Sequence, residues 1–349
     1  MKNPFLWLFR MSRPAASPHV AHRPVVPPTP AVAPEPDPFD PVWSLLTGPA
    51  AAQHAALTPE EAEQVEALVP MVLEHFSRNR PDLSTFPALA VQILDLLNEP
   101  DLEMNRLLRA ISPDPAIVVH VLGAANSVMY SRGAEIQDMR TAVMRIGLRG
   151  VGEIAAGVAT RTLFDVPQRV EYRAFKDRWN QQFLDTMAVA FGASQFAFEQ
   201  QVGRADLAFQ AGMFHDIGKS LALHSVAAIT ISGEVASPVP DHVIDEVLER
   251  VHVEVGCALI LIWGLPAHLS DVCLHHHDKD IPKSLDFMNL HSLRLASGMH
   301  RLVLDPTSTE RLDETRQSLQ ALGLSRRAAQ RLYHEMEHQV ERVAVLFQV

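Results

Sequence analysis

The sequence predicts an all-α protein, and three observations lead there. Apolar residues return at spacings of three and four in one segment after another. No run alternates between apolar and polar residues as a half-buried strand would. Helix starts and stops are marked by capping residues, prolines and glycines. Composition agrees: 349 residues, 47% hydrophobic and 20% charged, suit a globular chain with a sizeable core. The length fits about two domains, or one domain with extensions.

Residues 1–13 combine Lys2, Arg10 and Arg13 with Phe5, Leu6, Trp7, Leu8 and Phe9. This reads either as a short membrane-surface or partner-binding peptide or as a frayed terminus, and its apolar run is too short for a signal-peptide core. Residues 14–41 are dense in proline and alanine and predict an extended, disordered segment. Within it Pro27-Pro28-Thr29-Pro30 is a spacer or a ligand for a proline-reading domain. Order is predicted from near Trp43.

Thr58-Pro59-Glu60-Glu61 forms a capping box, and Ala62, Val65, Leu68, Val69 and Val72 give the helix that follows one packing face, to about Phe76. Helices are predicted over Val91–Asn98 and Leu102–Ile111. Asp114-Pro115 starts another, from Ala116 to Ala125. Thr141–Ile146 and Arg149–Phe164 flank Gly147, placed as a C-terminal glycine. A long helix over 172–200 carries Phe175, Trp179, Phe183, Met187, Phe191 and Phe196. Further helices are predicted over Asp206–Leu223, Val243–Leu261, from Pro266 into His275-His276-His277, over Leu285–Leu304 and over Glu310–Leu322. Gly323 stops the last of these, and Ser325 caps the final helix, Arg326–Phe347.

A formal net charge of -11 argues against wholesale binding to nucleic acid or to an anionic membrane. The Thr141–Phe164 hairpin, with Arg140, Arg145, Arg149 and Arg161, has the outline of a helix-turn-helix. Its second helix is too apolar and too rich in glycine to present a reading face, so nucleic acid is not the expected partner. The two cysteines, Cys257 and Cys273, lie in apolar runs and read as buried thiols of a reducing, cytoplasmic compartment. No apolar run is long enough to span a bilayer.

The chemistry concentrates in Phe214-His215-Asp216-Ile217-Gly218-Lys219. An imidazole beside a carboxylate is a common start to a divalent-metal site, or else a surface pair or a capped helix end. On a helix the two side chains would diverge by about 100°, so that one ion lies between them. Lys219 returns to the same face, where its ammonium would meet an anion such as phosphate. His252 and the run His275–His277 follow on separate helices, and such residues converge only in a folded site.

With Phe86-Pro87-Ala88-Leu89, Ile111-Ser112-Pro113-Asp114-Pro115, Ala125-Asn126-Ser127, Ala142 to Leu148, His252-Val253-Glu254-Val255-Gly256, Trp263-Gly264-Leu265-Pro266 and His276-His277, this stretch resembles the HDOD domain, the "HD-related output domain" of bacterial signalling proteins within the HD superfamily. The resemblance covers roughly Leu83 to Arg301. It implies an all-helical fold of two packed lobes. The division it suggests is a disordered tail (1–41), a helical extension (42–80), the HDOD domain (81–303, with lobes 81–165 and 166–303) and C-terminal helices packed on it (304–349).

Catalytic HD phosphohydrolases hold metal with an earlier His, the His-Asp pair and a later Asp, and some add histidines for a second ion. Carried over, the resemblance assigns His215, Asp216, His252, His276 and His277 as metal ligands, for Fe, Mn, Zn or Mg. The earlier His falls near Trp179-Asn180-Gln181-Gln182 and the later Asp near Leu295-Ala296-Ser297-Gly298, where neither ligand is present. Asn and Gln offer only a weak carbonyl, and Ser a hydroxyl. A hydrolytic centre must hold its ion tightly enough to acidify bound water. The expectation is therefore a signal-transduction protein whose domain binds proteins or a small anionic ligand without catalysis and requires no cofactor. The alternatives are a metal-dependent phosphohydrolase acting on a nucleotide or cyclic dinucleotide, and a DNA-binding regulator. The absence of a Gly-Tyr-Pro phrase after the histidines weakens a cyclic-di-GMP phosphodiesterase.

Overall fold

The computed structural model describes residues 37–48, 57–78, 86–130, 133–164, 170–235, 238–281 and 286–347. The first 36 residues, with the aromatic peptide and most of the proline-rich segment, lie outside this set. Among the described residues there is no strand, and no helix is long and apolar enough to cross a membrane.

The order is α1 (Phe39–Thr47), α2 (Pro59–Arg78), α3 (Ala88–Leu97), α4 (Met104–Ile111), α5 (Pro115–Asn126), α6 (Met139–Ile146) and α7 (Leu148–Thr160). Then come α8 (Lys176–Gln200), α9 (Ala205–Phe214), α10 (Ile217–Ser232), α11 (Asp241–Ile262), α12 (Ala267–His275), α13 (Phe287–Leu304), α14 (Leu312–Ala321) and α15 (Arg326–Phe347). Several boundaries follow the local chemistry. The Thr58 amide donates to Glu61 Oε2 at 2.9 Å and the Glu61 amide to Thr58 Oγ1 at 3.3 Å, the reciprocal pair of a capping box. Asp114 accepts from the Ala116 and Ile117 amides ahead of Pro115, and Ser325 accepts from the Ala328 amide. Gly147 ends α6 at φ 94°, a conformation open to a residue without Cβ.

Two expectations are corrected. The proline-dense segment does not stay extended to residue 41, because Phe39 to Pro41 already belong to α1, and Phe39 is fully buried. Pro41 is tolerated there because the first turn of a helix has no intrahelical use for its N–H groups. Nor is Asp206–Leu223 one helix. The chain breaks at His215-Asp216, where Asp216 takes φ -108° and ψ 15°, and α10 starts anew.

Residues from Pro38 onward form one compact unit, organised on α8. Its 25 residues span about 37 Å at about 1.5 Å per residue and enter three apolar cores. Phe183, Met187 and Phe191 complete the core of α3–α7. Val189, Ala193 and Phe196 join that of α1 and α13–α15, and Trp179 that of α2, α10 and α11. The close contact of α8 with α9 uses Gly212, where a Cβ would come within 2.4 Å of Ala190 Cα. The last turn of α15 drives Phe347 into the first core, edge-on to Phe183 at 5.1 Å between ring centroids.

Replacing Phe347 by Ala should lower stability by about 3–5 kcal/mol, as deletion of a buried aromatic ring does. Denaturant titration reads this, and a loss below about 1 kcal/mol would show that the ring is not seated. A second expectation concerns Glu153 of α7, which is buried, accepts from Ser194 Oγ at 2.6 Å and lies 3.5 Å from Arg149 Nε. Burial raises its pKa above the ordinary value, outweighing Arg149 and Ser194. The folded chain therefore binds this proton more tightly than the unfolded chain. The stabilisation is complete below the unfolded value and is lost as pH rises through the folded one. Glu153→Gln should flatten that slope in denaturation curves recorded across pH.

Candidate metal centre

Helices α10, α11 and α12 carry the site because their backbones approach unusually closely. A Cβ on Gly218 would stand 1.9 Å from the His252 carbonyl oxygen and 2.7 Å from the Gly256 nitrogen. Gly256 in turn faces Cys273 Sγ. The Cys273 thiol, its pKa pushed up by burial, donates to the Phe214 carbonyl at 3.2 Å, tying α12 to the end of α9. These contacts bring Asp216, from the α9–α10 break, against His252 of α11 and His276 and His277 at the end of α12.

One ligand atom from each of Asp216, His252, His276 and His277 falls within 4.8 Å of every other. His252 Nε2 lies 3.3 Å from His276 Nε2 and 3.2 Å from His277 Nε2. Asp216 Oδ1 lies 3.5 Å from Nε2 of both His252 and His276. The opposite ring nitrogens identify the tautomers. His252 Nδ1 faces the Leu248 and Glu249 carbonyls, at 3.2 and 2.8 Å. His276 Nδ1 faces those of Val272 and Cys273, at 3.1 and 2.9 Å. His277 Nδ1 faces Glu314 Oε2 at 3.1 Å. These oxygens only accept, so each Nδ1 carries the proton.

Burial is the main cause that lowers the pKa of each ring, to about 4 for His276, to about 2 for His277 and downward for His252. The rings are neutral near pH 7, and each Nε2 presents a lone pair. Asp216 Oδ1 is buried and accepts no hydrogen bond. Burial would raise this carboxyl, but His215 and Lys219 prevail and hold it well below the usual range. Four electron-pair donors thus face one another. A tetrahedral shell with bonds of about 2.0–2.1 Å has edges of about 3.3–3.4 Å, matching these spacings, so the donor set fits a divalent cation.

A chain of ionic contacts joins the two ends of this set. Lys219 Nζ lies 2.8 Å from Asp216 Oδ2 and also pairs with Glu249. Glu249 pairs with Arg311, and Arg311 reaches Glu314 at 3.1 Å, which returns to His277. Burial opposes ionisation of Glu249, but Lys219 and Arg311 keep its pKa well below the usual range. Beside the set lies a cavity of about 230 Å³ lined in part by Gln182, Asp185, His215, Ser297, His300 and Arg301.

The HDOD domain family model matches residues 83–279. The chain belongs to the HDOD domain family. It is similar to an uncharacterized protein of Treponema pallidum (strain Nichols), at 26% identity over 201 residues, 56% of this chain and 38% of that protein. It is also similar to Ribonuclease Y of Thermus thermophilus, at 29% over 150 residues, 43% of this chain and 21% of that one. The chain thus spans under two fifths of the length of these curated relatives. Among solved structures, an HDOD domain protein of unknown function from Geobacter sulfurreducens superposes with a TM-score of 0.59 at 22% identity, covering 82% of this chain and all of that one. A proposed metal-dependent phosphohydrolase of Shewanella amazonensis SB2B gives 0.52 at 19%, covering 81% of this chain and all of that one. A proposed signal transduction protein of Marinobacter aquaeolei VT8 gives 0.52 at 19%, over 88% and 64% of the two chains. These superpositions establish a shared fold.

Against the HDOD resemblance, four of the five residues assigned to metal converge. His215 borders the set: its Nδ1 faces the Gly212 carbonyl at 2.8 Å and its Nε2 lies 3.4 Å from Asp216 Oδ2. Burial lowers its pKa to about 4. The helix breaks between α9 and α10, so the two side chains do not project from one continuous helix, although His215 Nε2 stays 3.4 Å from Asp216 Oδ2. Lys219, assigned to phosphate, is engaged by two carboxylates. Gln182 and Ser297 line the cavity, while Gln181 donates to Asp185 at 2.8 Å.

Sequence reasoning missed Glu249, Arg311 and Glu314, and also the Asp185–His300 pair at 3.3 Å. Glu249 had a signal, three residues before His252 on one helix face. Glu314 had none. Gly218→Ala should force α10 from α11, since its Cβ meets backbone rather than a yielding side chain. The expected cost is about 1–3 kcal/mol, read as a lowered thermal midpoint, and an unchanged midpoint would contradict the close approach.

Proposed function

We propose that this HDOD protein is a regulatory, non-catalytic module that holds a divalent transition metal through Asp216, His252, His276 and His277. The observation that carries this reading is the convergence of three unprotonated Nε2 atoms on a buried carboxylate oxygen with no hydrogen bond. Three imidazoles and a carboxylate suit zinc, iron or manganese better than magnesium. A bound ion here supplies folding energy. Four protein ligands close a tetrahedral shell, as in structural sites, whereas catalytic sites keep a position open.

Gln181 or Gln182, and Ser297, stand where the resemblance expects the first His and last Asp, which further favours a binding role over hydrolysis. The module's partners are then other signalling proteins, in keeping with the description of the Marinobacter neighbour, and its setting is the bacterial cytoplasm. Asp216 serves the ion through Oδ1 while Lys219 holds Oδ2. Lys219 is thereby a support for the carboxylate and not a free phosphate contact.

Protein purified without chelator should carry about one transition-metal ion per chain by elemental analysis, and His276→Ala should carry far less. With metal at about 100 times its dissociation constant, chelation should remove about 2.7 kcal/mol of stability. No bound metal in the purified chain would refute the reading. Phosphoester turnover with added Mn²⁺ that disappears in Asp216→Ala would replace it with the hydrolase.

A further inference from the structure

We propose that α14 and the turn before it, residues 305–321, form a metal-responsive strap, in which Glu314 positions His277 and the filling of the site is read out as docking of α14. This rests on the metal reading above. It begins from an asymmetry among the three imidazoles. The Nδ1 atoms of His252 and His276 are held by carbonyls three and four residues back on their own helices. His277 Nδ1 is held by Glu314, 37 residues away and on another helix. Two ligands are therefore fixed by local secondary structure. The third is oriented by a segment that lies beyond residues 83–279, the stretch matched by the family model.

The strap is fastened at three points. Arg311, at its bend, pairs with Glu249 of α11 and with Glu314. Its φ of 52° makes it one of two non-glycine residues with positive φ among those described, with Gln201. Such backbone strain persists where surrounding contacts over-determine it. Behind it α14 lies tight on α13, where a Cβ on Gly298 would come within 2.0 Å of Thr315 Oγ1. Beyond it Arg316 donates to the Leu45 and Leu46 carbonyls of α1.

The direction of response follows from the lone pairs. With a cation between them, Nε2 of His277 and Nε2 of His252 are both attracted to one centre at 3.2 Å separation. Without one, the two acceptors repel. His277 is the ring whose hold can yield, because its Nδ1 partner is a side chain on a separate helix. Loss of metal therefore loads the His277–Glu314 contact and loosens α14, and gain of metal tightens it.

The test uses the full chain, metal-free or loaded with zinc. Hydrogen exchange should show α14 amides more protected with zinc in the wild type, and no such gain in Glu314→Gln. Zinc affinity, by competition with a chromophoric chelator, should fall about 10–100-fold in Glu314→Gln, as for other groups that orient a ligand. The Co²⁺ ligand-field spectrum should shift in the same variant, a change that loss of a purely structural ion pair does not produce. Wild-type protein that binds zinc with no change in α14 exchange overturns the strap alone, as does Glu314→Gln binding zinc as tightly as wild type. Wild-type protein that takes up no zinc overturns the metal reading, and the strap with it.

Discussion

Three buried imidazoles turn their unprotonated nitrogens toward one another and toward a carboxylate oxygen. Neutral rings with their other nitrogens committed to carbonyls or carboxylate have no proton to share across gaps of 3.2–3.3 Å. Much of the surrounding structure exists to hold this arrangement. Gly218 and Gly256 let α10 and α11 meet backbone to backbone, Cys273 ties the next helix to the chain just before His215, and Lys219 restrains the free oxygen of Asp216. Each of these groups acts on the position of a donor atom, and none supplies a lone pair of its own to the cluster.

The same arrangement divides Asp216 between two neighbourhoods. The sequence places His215 and Asp216 side by side as candidate ligands of one ion. In the fold Asp216 Oδ1 faces His252 and His276, while Oδ2 lies 3.4 Å from His215 Nε2 at the cavity wall. The cavity keeps polar groups, Gln182, Asp185, Ser297 and His300, of which Asp185 and His300 pair at 3.3 Å.

Much of this was legible in the sequence. Period and caps foretold the helices, and the capping box at Thr58 and the Asp114-Pro115 start are local signals that tertiary packing did not override. The family phrases gave the order in which Asp216, His252, His276 and His277 come together. The rest was hidden for physical reasons. The break at His215-Asp216 carries no proline, and its glycine, Gly218, serves a close approach to α11 that only the folded chain reveals. Glu314 and Arg311 sit in an acidic-basic stretch that reads as an ordinary solvated helix face, since a contact across 37 residues of chain leaves no mark on spacing. The start of α1 is hidden because proline density outweighs Phe39, whose ring packs on Trp43 and on the distant Tyr333.

Helix α8 has one more implication. Its successive turns belong to three different cores, so no cut through the chain leaves it with all its faces covered. A fragment ending at residue 279, where the family match stops, keeps α8 whole but strips α13, α14 and α15 from Val189, Ala193 and Phe196. The stretch matched by the family model is thus smaller than the unit that excludes water, and its C-terminal edge runs through an apolar interior.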